Sequence, residues 1–357
     1  ARVAGSAGTG KTIVALHRAA HLARINPDAR VLLYIAAVRD RDWRAAATRL
    51  DQIEDQDGFD FLAPLFRGWL AQASGEAANA SKTTATAYVA ENDILLAIAR
   101  GETTDSADAV KGLWPTDRYR ASTLRLAAAA SLAARKQRSS ALALLVDDDP
   151  TATAARAAIA RGKRLAGAVD TPARGAAFVL ARMAGDLMNE RSARSAITLA
   201  RFATFADPAS PNAKLVAATA LGLNQRNSEA LVLIDSVARD PVYADLAQSL
   251  RIDRLEALGR VDEAYAEAAL RAGRTVNDMT RLGDIEARRG RHVAAAGHYR
   301  RAVETVGQDA ASAALWLALG NALEQGGDWT AARPAFERAL KLTPDDPRLL
   351  NQLGYGM

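Results

Sequence analysis

The stretch "AALWLALGNALEQGGDWTAARPAFERALKLTP", residues 313–344, decides how this 357-residue chain folds. In a frame opened at Ala313, large side chains fall at positions 4, 7 and 11 (Trp316, Leu319, Leu323), the spacing of one helical face. Small ones fall at 8, 20 and 27 (Gly320, Ala332, Ala339), where two helices can approach closely; Phe336 holds position 24. Gly327 at 15 marks a turn between helices, and Pro344 at 32 stops the second one. The stretch predicts a helical hairpin whose apolar faces are covered only by further hairpins.

The frame recurs upstream. From Val276 it gives Leu282, Gly283, Gly290, Ala295, Tyr299 and Ala302 at 7, 8, 15, 20, 24 and 27. From Asp245 it gives Leu255, Gly259 and Ala264; from Pro211, Leu221, Ala230 and Ile234; from Ala177, Leu187, Ala196 and Pro208. These spacings and residues resemble the tetratricopeptide repeat (TPR), with Leu323 standing where that family usually has Tyr. The resemblance implies an all-α, TPR-like superhelical solenoid of antiparallel helix pairs. A further repeat opens at Pro347 with Leu350, Leu353, Gly354 and Met357, half a repeat that reads as a truncation.

The first half is more degenerate. "DARVLLYIAAVRDRDWRAAATRLDQI" fits a frame from Pro27, with Leu33, Ala46 and Leu50 in register, and its "RDWRAAATRL" echoes "GDWTAARPAF". A frame from Ser122 places Leu132 and Ala141. Phe61, Leu62, Leu65, Phe66, Trp69 and Leu70 share one helical stripe, which reads as repeat packing. Residues 73–87 and 101–115 read as loops. The expected organisation is an N-terminal segment over 1–25, degenerate repeats over 26–172 and a TPR array over 173–357.

Composition agrees with helices. Apolar residues make up 49%, much of it Ala, and aromatics only 5%. The net charge of +5 comes from 46 basic against 41 acidic residues of interspersed sign, the balance of a solvated helical surface rather than a nucleic-acid footprint. With no Cys, disulfides, thiolate metal sites and Cys nucleophiles are excluded. No apolar run is long enough to cross a membrane, and a chain opening on Ala1 reads as processed or trimmed. A soluble bacterial protein of cytoplasm or periplasm is the expectation.

The chain also opens with a chemical motif. Gly5 to Thr12 reads G-S-A-G-T-G-K-T, matching the phosphate-cradling pattern G-x-x-x-x-G-K-[ST]. Gly5, Gly8 and Gly10 would let backbone N–H groups hold phosphate oxygens, Lys11 would reach the β/γ-phosphates and Thr12 would take Mg²⁺. Residues 1–33 resemble motif I of UvrD/Rep-type superfamily-one DNA helicases. Mg-ATP is the implied cofactor if the loop is functional. The rest of the motor is missing, and the one Walker B candidate, "ALALLVDDDP" with Asp147 or Asp148, reads as the second helix of a degenerate repeat with a polar stop. His17 and His21, four apart, have no third ligand nearby and read as surface residues.

The TPR resemblance supplies the candidate site. In that family, first-helix positions 2, 5, 9, 12 and 13 line a concave groove that binds a peptide or partner helix. Carried over, they place Asp253, Glu256, Thr280, Asp284, Arg288, Asn321, Glu324 and Gln325 there. Ser249, Thr280 and Leu317 at position 5 lack the Lys with which chaperone-tail grooves clamp a carboxylate. The groove reads as mildly acidic and suited to a basic or polar peptide. The expectation is a non-enzymatic scaffold, the alternative a nucleotide-binding protein whose repeats recruit partners, and third a helicase fragment.

Overall fold

The computed structural model describes residues 27–54, 61–75, 86–102, 109–110, 118–146, 149–189, 192–271, 273 and 275–344. The phosphate-loop residues Gly5, Gly8, Gly10, Lys11 and Thr12, together with His17, His21, Asp147, Asp148 and the half repeat from Pro347, lie outside them. Among the described residues the regular structure is entirely helical. It divides into two compact units, one reaching Ala247 and one beginning at Gln248.

The N-terminal unit holds α1 (Pro27–Arg39), α2 (Trp43–Glu54), α3 (Leu62–Ser74), α4 (Thr86–Arg100), α5 (Arg118–Ala134), α6 (Arg138–Leu144), α7 (Pro150–Ala160), α8 (Pro172–Asn189), α9 (Ala193–Ala206), α10 (Pro211–Leu223) and α11 (Asn227–Asp235). Next come α12 (Ala244–Ala257), α13 (Val261–Ala269), α14 (Val276–Arg288), α15 (His292–Val306), α16 (Ala313–Gln325) and α17 (Trp329–Leu342). Each frame opened at 177, 211, 245, 276 or 313 holds one such pair, and the frames at 27 and 122 hold α1–α2 and α5–α6. Of the Walker B candidate, Ala141–Leu144 form the end of α6, as the repeat reading expects, whereas Leu145, its C-cap, and Val146, both also read as helix, lie past its end.

One turn geometry recurs at nine helix ends. The N–H groups of Asp42, Glu102, Gln137, Lys163, Ser192, Arg226, Arg260, Arg291 and Asp328 each donate to the carbonyl five residues earlier, at 2.9–3.0 Å. This is the 6→1 bond of the Schellman motif, which satisfies a helix-end carbonyl and needs a left-handed residue just before the donor. Gly259, Gly290 and Gly327 fill that place with φ of +70°, +73° and +85°. Arg41, Lys136 and Gln225 adopt it too (φ +59°, +67° and +61°) without the freedom of glycine. The turn therefore persists where its glycine signature has been lost.

Within the C-terminal unit, close approach is achieved at position 8. A Cβ on Gly283 would lie 2.6 Å from the Tyr299 ring, and one on Gly320 would lie 2.5 Å from the Phe336 ring. In these two hairpins position 24 thus seats its aromatic against the backbone of the first helix, whereas the α12–α13 hairpin has Ile252 and Ala268 at positions 8 and 24.

The N-terminal unit departs from nearest-neighbour stacking. Helices α1, α3 and α4 all pack on α8, and α1 also packs on α9. Tyr34 stacks on Phe66 with ring centroids 5.0 Å apart, and the Trp69 ring presses on the backbone at Gly175 while its Nε1 donates to Asn92 Oδ1 (2.7 Å). A buried charge network spans α4, α5 and α8. Glu91, 1% exposed, accepts from Arg120 Nε (2.6 Å) and Arg182 Nε (2.9 Å), while Arg120 Nη1 and Tyr88 Oη donate to Asp186 Oδ2 at 2.9 and 2.6 Å. Two guanidinium groups meet two carboxylates, so the network is balanced in charge, with Asp186 as its partly exposed member.

Candidate functional site

The eight residues expected to line a groove lie on α12, α14 and α16, the first helices of three successive hairpins, because positions 5, 9, 12 and 13 recur on one face of each. Arg281, at position 6 of α14, reaches back to α12. Its Nη1 donates to Ser249 O (2.8 Å) and Ser249 Oγ (2.9 Å), and its Nη2 lies 3.2 Å from Asp253 Oδ1. Two helical turns further along α14, Arg288 pairs with Glu256. Asp253, Glu256 and Arg288 are thus joined in a ladder that ties α14 to α12.

The remaining positions differ. Asp284 accepts from Tyr299 Oη (2.6 Å), and Thr280 Oγ1 donates to Val276 O in its own helix (2.9 Å). Burial first, and the Asp284 hydrogen bond second, push the Tyr299 phenol far above its ordinary pKa, so it stays a donor throughout the physiological range. On α16, Asn321 and Glu324 are half-buried and Gln325 is exposed; Asn321 Oδ1 and Glu324 Oε2 accept no hydrogen bond.

The geometry refines the acidic reading of the groove. Two of its carboxylates already face guanidinium groups, which leaves Asp284 and Glu324 as the acidic groups without an arginine partner in the row. Sequence reasoning missed Arg281, because position 6 is not a groove position. The available signal was Arg281 and Arg288, seven apart on one helix, following Asp253 and Glu256 at nearly one repeat length.

Among the described residues no group of three or more His, Asp or Glu is placed to hold a metal ion. No helix among them is long and apolar enough to cross a membrane.

Residues 313–355 match the family model of the tetratricopeptide repeat. No curated protein matches the chain. Among solved structures, it is similar to the APC/C hetero-tetramer Cut9-Hcn1 at 15% identity and a TM-score of 0.43, covering 96% of this chain and 80% of that one. It is also similar to the human IFIT1 dimer with PPP-AAAA (12% identity, TM-score 0.36, covering 92% of this chain and 94% of that one). A third likeness is the P58(IPK) TPR domain (13% identity, TM-score 0.29, covering 96% and 97%). None reaches a TM-score of 0.5, and the fold reading rests on the helix pairs themselves.

Proposed function

We propose that the chain is a non-enzymatic interaction scaffold and that the first-helix row of its C-terminal unit binds an extended protein segment. The observation that carries this reading is the ladder from Arg281 and Arg288 to α12. It supports a row of polar side chains held in place before any partner arrives, which lowers the ordering cost of binding. Asp284 and Gln325 are the groups best placed to take hydrogen-bond donors or a cation from that partner. Selection of peptides from a random library on the full chain tests this. Selected peptides should carry Lys, Arg or amide side chains and lose binding to an Asp284→Lys variant; peptides indifferent to that substitution would remove the reading.

The second reading rests on the sequence G-S-A-G-T-G-K-T at Gly5–Thr12. A live phosphate loop would raise the melting temperature with Mg-ATP by an increment that Lys11→Ala abolishes, since a ligand at a hundredfold excess over its Kd adds about 2.7 kcal/mol. An unchanged melting temperature at millimolar nucleotide would remove it.

A further inference from the structure

Three helix ends of the N-terminal unit bring together charge that is scattered along the sequence. Arg100 closes α4, Arg135 and Lys136 follow α5, Arg138 opens α6, and Arg161, Lys163 and Arg164 follow α7. All seven are exposed. The turns adjoin one another: a Cβ on Gly101 would lie 2.7 Å from Arg135 Nη2, and one on Gly162 would lie 3.0 Å from Arg138 Nη2. Among the described residues adjoining these helix ends (101–102, 135–138 and 161–164) the only carboxylate is Glu102.

Elsewhere among the described residues many arginines form ion pairs, although exposed ones such as Arg194, Arg300 and Arg301 stand without one. Arg174, Arg226, Arg260, Arg281 and Arg291 each meet a carboxylate. Among the described residues none of the seven ridge cations forms an ion pair; Arg100 acts on Asp93 of its own helix without contact distance.

Helix-end chemistry explains part of the ridge. Arg100, Arg135 and Arg161 sit at helix C-termini, where a cation gains about 0.3–1 kcal/mol from the dipole, and Arg135 Nη1 donates to Ala99 O (3.0 Å). The dipole opposes Arg138, the first residue of α6, and does not reach Lys163 and Arg164 beyond α7. Seven like charges on three adjoining turns repel one another, a cost that an anionic partner offsets.

We propose that this ridge docks an acidic protein segment with interspersed apolar residues. Among the described residues of these turns no aromatic side chain is present on which a base could stack. Leu142, one turn along α6 from Arg138 and 37% exposed, offers an apolar contact that a phosphate backbone would not use. A single leucine is too little apolar surface to enter a lipid interface. Packed helix axes lie about 8–10 Å apart, a step an extended chain covers in about three residues. A Glu-Glu-Leu repeat therefore presents two carboxylates and one apolar side chain within one such step.

The test uses the full chain and a dye-labelled Glu-Glu-Leu repeat peptide, followed by fluorescence anisotropy at physiological salt. Mixed-sequence duplex DNA and phosphatidylserine-containing vesicles are titrated in parallel. The peptide should bind more tightly than either, and Arg138→Glu/Lys163→Glu should weaken it at least about tenfold, equivalent to 1.4 kcal/mol. The matched control, Arg300→Glu/Arg301→Glu on α15, should leave it unchanged. Should the reversed pair lose helical circular dichroism, the neutral Arg138→Gln/Lys163→Gln pair takes its place. Absent peptide binding, equal loss in ridge and control variants, or tighter binding of DNA or vesicles would each overturn the proposal. None of these outcomes bears on the groove, whose residues are all elsewhere.

Discussion

Replacing Gly320 by alanine should destabilise the C-terminal unit, although alanine is the better helix former. The new Cβ would lie 2.5, 2.6 and 3.0 Å from three atoms of the Phe336 ring. That ring is fully buried and flanked by Trp329, with centroids 6.0 Å apart, so it has little room to retreat. Overpacking of this kind costs about 1–3 kcal/mol, and the gain in helix propensity returns about 1 kcal/mol. With three ring atoms inside the normal contact distance, the net loss should be about 1–2 kcal/mol. The decisive comparison is the same substitution beside Phe336→Leu. Once the ring is gone, Gly320→Ala should turn stabilising by up to about 1 kcal/mol, a coupling of about 2 kcal/mol between the sites. Repeat arrays need not unfold in one step, so the assay is hydrogen exchange on peptides spanning 313–342, read as local opening free energy. Effects that add to within about 0.5 kcal/mol, or alanine stabilising both backgrounds, would refute the packing argument.

Four further outcomes follow from the same structure. Gln225→Gly relieves a left-handed residue at a hairpin turn (φ +61°) and should raise stability by about 0.5–1 kcal/mol in thermal unfolding. Glu91→Gln strips the charge from between Arg120 and Arg182 and should cost about 3–5 kcal/mol, seen as lost exchange protection in α4, α5 and α8. Arg281→Met removes the ladder rung to Ser249 and Asp253; these groups are partly solvated, so the loss should be about 1 kcal/mol and shrink in high salt. Burial lowers the His298 pKa below its ordinary value of about 6.5, so the unfolded chain binds that proton more readily. Stability from this residue is present above that value and is lost as pH falls through it toward the lower folded pKa; His298→Gln should flatten that part of the pH–stability curve.

The C-terminal array was legible because its rules are local. Spacing of Trp316, Leu319 and Leu323, a glycine turn and a small residue facing an aromatic are all written within one hairpin. The turn at Gln225 shows the limit, since a side chain can occupy the left-handed position at modest cost and erase the signal. The frames at 27 and 122 found their helix pairs, but nothing in them indicated that α1 and α3 pack on α8. Such contacts join residues more than a hundred positions apart and leave no periodicity. That the eight candidate positions fall on first helices was likewise legible, while their pairing was not, because Arg281 acts from outside those positions. The cationic ridge was hidden for a related reason. Its seven members come from three short stretches, each ordinary alone, and only the adjoining turns place Arg135 beside Gly101 and Arg138 beside Gly162.

The most direct test of the scaffold reading is hydrogen exchange on the full chain with and without a library-selected peptide. Added protection should fall on peptides from α12, α14 and α16, while those from α13, α15 and α17 keep their free-state rates. Protection spread evenly over first and second helices, or confined to the second, would contradict the assignment of this row as the binding face.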